Sequence, residues 1–128
     1  MPFVVFNILL AGVPSVAVLF LLIHSDTRSR YPSGLVFPAF FLGFVAVLPA
    51  LALEILLRPA GYALSGLSGD FIRAFLIAGA LEEGTKYLAL RLFIYPLAGY
   101  RSIRDGILTA VAAGLGFAFF ENIFYTFG

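Results

Sequence analysis

Leu35-Val36-Phe37-Pro38-Ala39-Phe40-Phe41-Leu42-Gly43-Phe44-Val45-Ala46-Val47-Leu48-Pro49-Ala50-Leu51-Ala52-Leu53-Glu54-Ile55-Leu56-Leu57 carries a single charge, Glu54, before Arg58-Pro59 closes the run. A helix needs roughly 20 mainly apolar residues to cross a hydrocarbon core about 30 Å thick, and this run has that length. Inside a bilayer only helices and closed barrels satisfy the backbone, and the run lacks the alternation of a barrel strand. It therefore predicts a membrane-spanning helix. Pro38 and Pro49 within it are tolerated where neighbouring helices re-satisfy the freed carbonyls.

Working outward, polar clusters cut the chain into three more such pieces. One runs over 3–23, contains Pro14 and ends at His24-Ser25-Asp26-Thr27-Arg28-Ser29-Arg30. Another covers 71–97 and ends at Tyr100-Arg101-Ser102-Ile103-Arg104-Asp105, and the last covers 106–127. The first is read as a retained anchor, because no Lys or Arg precedes Arg28 to form the basic region of a signal peptide. The expected fold is all-α, a polytopic membrane helix bundle with about four transmembrane helices in a single transmembrane domain, 1–128.

Composition agrees. Of 128 residues, 62% are hydrophobic and 12% charged, and the mean hydropathy is +1.04. A soluble domain of this size has too much surface to hide so many apolar side chains, so a soluble enzyme, a disordered chain and a fibre are excluded. A net charge of +1 offers no basic field for nucleic acid. With no cysteine and His24 as the only histidine, thiolate chemistry and multi-histidine metal sites within these residues are excluded too.

Orientation follows the basic residues of the short loops. Arg28 and Arg30 in the first loop and Arg101 and Arg104 in the third outnumber Arg58 and Arg73 on the other side. The N-terminus is therefore expected outside, with loops one and three cytoplasmic.

The third span holds charges that a membrane helix resists: Leu81-Glu82-Glu83-Gly84-Thr85-Lys86. Three ionisable groups near a helix centre cost roughly 8–10 kcal/mol on insertion scales, and the span's Leu, Ile and Phe residues return only roughly 4–7. The charges must be paired, neutralised or wetted. Helical spacing lets both carboxylates reach one ammonium, since Glu82 and Lys86 are i,i+4 and Glu83 and Lys86 are i,i+3. Ala74, Ala78, Glu82 and Lys86 share a face whose small residues allow a neighbouring helix to approach, so the carboxylates are expected to point into the bundle. On the fourth span Ala110, Gly114 and Ala118 form a small stripe leading to Asn122, with Phe117, Glu121 and Tyr125 alongside. The expected topology puts Glu82, Glu83 and Glu121 in the outer half of the bilayer, in one shared site.

Bland readings stand beside this one. Glu82 with Lys86 is compatible with a structural ion pair, and Glu121 with local polar packing through Asn122 and Tyr125. Glu54 is read as structural, His24 as interfacial, and Asp105 as lying near a helix N-terminus where its charge is favoured. Three carboxylates and one lysine sum to −2, a charge suited to a divalent cation acting on water; metal-free glutamate catalysis is equally permitted. A carboxylate beside Lys86 stays charged, and a second, crowded one can carry a proton.

Glu82-Glu83-Gly84-Thr85-Lys86 resembles the first motif of the PrsW family of intramembrane proteases, part of a wider superfamily with the CAAX prenyl endopeptidases. So does the block Asp105-Gly106-Ile107, followed by Gly114-Leu115-Gly116-Phe117-Ala118-Phe119-Phe120-Glu121-Asn122-Ile123-Phe124-Tyr125. The two motifs, about 30 residues apart on consecutive spans, carry the resemblance over 71 onward; the first two spans match only as apolar helices. The resemblance implies proteolysis in the cell membrane of a prokaryote, with a membrane-anchored protein such as an anti-sigma factor as substrate. Carried over, Glu82 and Glu83 are the paired glutamates, one of them activating water, and Glu121 is the third catalytic carboxylate. Lys86 and Asn122 are supporting groups. The resemblance also implies a divalent metal such as zinc, with Glu83 and Glu121 as ligands beside a histidine on a later helix. No such histidine occurs in these residues, and His24 is expected at the opposite membrane face. The expectation is a truncated or degenerate member whose 128 residues insert in membranes without cleaving. Readings from other classes are a proton- or cation-handling transport subunit, which loses flux on Glu→Gln substitution, and a non-catalytic partner-binding protein, which tolerates it.

Overall fold

A computed structural model describes residues 2–25, 32–63 and 65–127. All the regular structure among them is helical. The order is α1 (Pro2–Ser25), α2 (Pro32–Tyr62), α3 (Gly66–Phe71), a π-helical stretch (Ile72–Gly79), α4 (Ala80–Phe93) and α5 (Ile103–Phe127). Arg28 and Arg30, on which half of the orientation argument rests, lie outside the described residues.

Two of these helices, over Gly34–Ala60 and Ile103–Thr126, are long and apolar enough to cross a membrane, and Gly12–His24 is a shorter apolar helix. Pro14, Pro38 and Pro49 sit inside α1 and α2, as does Pro59, so α2 continues past the point where the sequence pattern closes it. The third expected span departs most from its expected form. It begins earlier as α3, passes through eight residues of π-helix and ends at Phe93 rather than Leu97. Pro96 accounts for the early end, because a proline disfavours helical backbone at the residue before it. The last turn closes through bonds from the amides of Ile94 and Tyr95 to the Leu90 carbonyl.

Helix α5 starts with a reciprocal cap. The Asp105 carboxylate accepts bonds from the backbone N–H of Arg101 and of Ser102, 2.9 Å each, while the Asp105 N–H donates to Ser102 Oγ at 3.2 Å. This Ser-x-x-Asp box satisfies orphan donors at a helix N-terminus, and places Asp105 where the sequence expects it.

Helix α2 is the centre of the bundle. It packs along α5 on one flank and against α4 and the π stretch on the other, while α1 leans on α5. The tightest contact joins α2 and α5 at two glycines. A Cβ on Gly43 would overlap the Ala113 carbonyl, and one on Gly116 would overlap the Phe40 carbonyl. Ala39, Ala46, Val47 and Ala50 of α2 and Ala112, Ala113 and Phe117 of α5 are buried around them. Without a hydrophobic force between helices in lipid, such close backbone approach supplies the association. The stripe expected to do this on α5, Ala110, Gly114 and Ala118, does not: Ala110 is exposed and a Cβ at Gly114 would meet nothing. Small residues occur on more than one face of α5, so spacing alone did not select the packed one.

Candidate functional site

Lys86 is the hub of the site. Its Nζ donates to Glu83 Oε1 at 2.7 Å, lies 3.9 Å from Glu82 Oε2, and sits 4.0 Å above the centre of the Phe117 ring. Both expected pairings within α4 are therefore present. The contact with Phe117 adds a link to α5 that the sequence did not announce, since Phe117 reads simply as a core aromatic. The face of Phe117 is electron-rich and attracts an ammonium most strongly where water is excluded. Phe117 is itself 2% exposed.

The two glutamates do not share a face. The Glu82 side chain is 29% exposed and the Glu83 side chain 76%. Adjacent residues on an α-helix are about 100° apart, so only one can point inward. The expectation that both carboxylates enter the bundle holds for Glu82 and fails for Glu83, which reaches Lys86 from the outside.

Glu121 follows Phe117 by one turn of α5 and is half-buried. Its charge and those of Glu82, Lys86 and Glu54 fall within range of one another. The charges of Glu82 on α4 and Glu54 on α2 thus reach Glu121 on α5 electrostatically. Asn122, one position on, is exposed. His24 lies in the last turn of α1, where its Nδ1 bonds the Phe20 carbonyl at 3.0 Å and its ring lies 3.8 Å from that of Phe20.

Glu54 is the residue that sequence reasoning set aside. It lines a small polar recess of about 130 Å³ with Arg58, Arg73 and Ile77, between the end of α2 and the π stretch. The available signal was Arg58 four residues on, a spacing at which a glutamate and an arginine ordinarily pair. They do not pair here.

The described residues do not assemble the metal site that the resemblance implies. Among them no three His, Cys, Asp or Glu side chains come together to hold an ion. The expected ligand Glu83 is turned outward and engaged by Lys86.

The fold is that of a helical integral membrane protein whose α4 and α5 carry carboxylates within electrostatic reach of each other. The sequence profile described as PrsW family intramembrane metalloprotease matches residues 31–128, and the chain belongs to that family. The match reaches well upstream of the two motifs, taking in α2. Protease PrsW of Bacillus subtilis (strain 168) is 35% identical over 124 residues, 96% of this chain and 55% of the relative. Protease PrsW of Geobacillus kaustophilus (strain HTA426) is 32% identical over 121 residues, 94% and 52% respectively. Protease PrsW of Clostridioides difficile (strain 630) is 31% identical over 120 residues, 93% and 50%. The chain spans about half the length of the curated relatives it matches. No solved structure matches it significantly.

Proposed function

We propose that the protein acts as an intramembrane endopeptidase on a membrane-anchored protein, with Glu82, Glu83 and Glu121 as its working carboxylates. The observation that carries this reading is the arrangement around Lys86: one glutamate held tightly from outside, one held loosely from within, and a third on the facing helix.

Hydrolysis of a peptide bond needs an activated water, a group that polarises the carbonyl and a proton for the leaving amine. Glu82 is the carboxylate suited to the first task, because its contact with Lys86 is long and it faces inward. It takes a proton from water as the oxygen attacks the scissile carbonyl. Lys86 stabilises the oxyanion, and Glu121 supplies the proton that releases the amine; Asn122, exposed one position on, is not turned to the same side. Glu83 holds Lys86 in place. The family's metal would add Lewis-acid activation of the same water; since the described residues do not form a donor set for it, no step is routed through one.

Because the chain spans about half the length of its relatives, the test is cleavage of a membrane-anchored reporter by these residues together with whatever segment the gene encodes downstream, read by immunoblot. Glu82→Gln should lower cleavage at least about 100-fold, the usual scale for loss of a general base. Unchanged cleavage by Glu82→Gln, at matched protein levels, overturns the assignment.

A further inference from the structure

Hydrolysis consumes one water for each bond cut, and the hydrocarbon around a membrane helix holds none. A groove of about 660 Å³ along α1 does not supply it. Its lining includes Leu9, Val13, Phe20 and Phe119, and an apolar space of this kind stays dry. The recess at the end of α2 differs. It is lined by Glu54, Arg58, Arg73 and Ile77, and its volume of about 130 Å³ exceeds the roughly 30 Å³ share of one water several-fold. Its charges balance: Arg73 is paired with Asp70, which leaves one carboxylate, Glu54, and one guanidinium, Arg58. A wall without surplus charge selects no ion. It offers both acceptors and donors, and so provides the polar partners that a held water needs.

We infer that this recess is the water inlet of the site, with Glu54 as the positioning residue that holds water at its inner end for Glu82. The inference rests on the proposed endopeptidase reading and supplies that reaction's second reactant. Arg58 closes the apolar run of α2, so the outer end of the recess meets the edge of the bilayer. Glu54 lies one turn deeper on the same helix, about 6 Å along its axis. A further turn along is Ala50, which is buried in one cluster with Phe117, the ring beneath Lys86. On the opposite wall Ile77 precedes Glu82 along an unbroken run of helix, by a rise of about 7 Å. Both walls therefore lead from the membrane edge toward Glu82 and Lys86, and the charge of Glu54 reaches Glu82 and Glu121. A carboxylate accepts hydrogen bonds from water on both oxygens. Glu54 thus retains water where an apolar side chain of similar size would exclude it.

The test reads access without turnover. Because the chain has no cysteine, Glu82→Cys introduces a single thiol. The chain is reconstituted in phosphatidylcholine vesicles and exposed to aqueous silver ion, which travels through water and not through lipid. Thiol left free is then counted with a maleimide after denaturation. Glu82→Cys should react, and Phe41→Cys, on an exposed apolar face of α2, should not. Adding Ile77→Trp to Glu82→Cys should slow the reaction about tenfold, the scale of one lost hydrogen bond to a charged group. Glu54→Leu should slow it by a similar factor relative to Glu54→Gln, which has the same charge and still holds water. The two blocking changes lie on different helices, and melting temperatures confirm that each variant folds. No reaction at Glu82→Cys, an unchanged rate with Ile77→Trp, or equal rates for Glu54→Leu and Glu54→Gln overturns the inlet. In the reporter assay Glu54→Leu should lower kcat and leave KM unchanged, while Glu54→Gln keeps both. Access as expected without any cleavage faults the proteolytic reading, whereas full cleavage with access blocked faults the inlet.

Discussion

Lys86 faces two carboxylates while its own charge is largely shielded, its side chain being 15% exposed. Removing the lysine leaves the partly buried Glu82 without its cation and the Phe117 face without its ammonium, a cost of about 1–3 kcal/mol. Lys86→Met should therefore lower the melting temperature in detergent markedly, and Lys86→Arg should recover most of the loss by keeping a cation over Phe117. A melting temperature unchanged in Lys86→Met contradicts the hub role. The hub was legible from spacing, since i,i+3 and i,i+4 placements are consequences of helix geometry alone. The split between Glu82 and Glu83 was not, because it depends on which face α4 turns to α2, and a tertiary orientation leaves no local mark at two adjacent glutamates.

At the scale of elements, the contact between α2 and α5 decides whether α5 presents Glu121 to α4. Gly43 and Gly116 touch the backbone of the opposing helix, while Gly114 faces open space. The same substitution should thus act with opposite signs. Gly43→Ala and Gly116→Ala should force the helices apart and destabilise the bundle, whereas Gly114→Ala should stabilise it by about 0.5–1 kcal/mol through helix propensity. Thermal melts of the three variants check this; equal effects would place the interface elsewhere. The apolar runs over 35–57 and 106–127 were readable because length and hydropathy suffice for a spanning helix. The π stretch over Ile72–Gly79 was not readable, because its residues differ in no local way from those of an α-helix. Nor was the packing face of α5, since its small residues point in several directions.

For the whole molecule, the basic residues of the loops predict the N-terminus outside and the carboxylates in the outer half of the bilayer. With no cysteine in the chain, single cysteines report topology directly. Ser65→Cys, beside Gly66 at its positive φ of +73°, should react with an impermeant maleimide added outside intact cells, and Ser29→Cys should not. The reverse pattern would move the site to the cytoplasmic half. The central claim is that Glu82 on α4 and Glu121 on α5 work as one site, and a double-mutant cycle on reporter cleavage tests it most directly. Residues that act as a unit are non-additive, each single loss costing about as much as both. Glu82→Gln, Glu121→Gln and the double variant should therefore fall to the same residual rate. Losses that multiply in the double variant, or full activity in Glu121→Gln, would contradict a shared site.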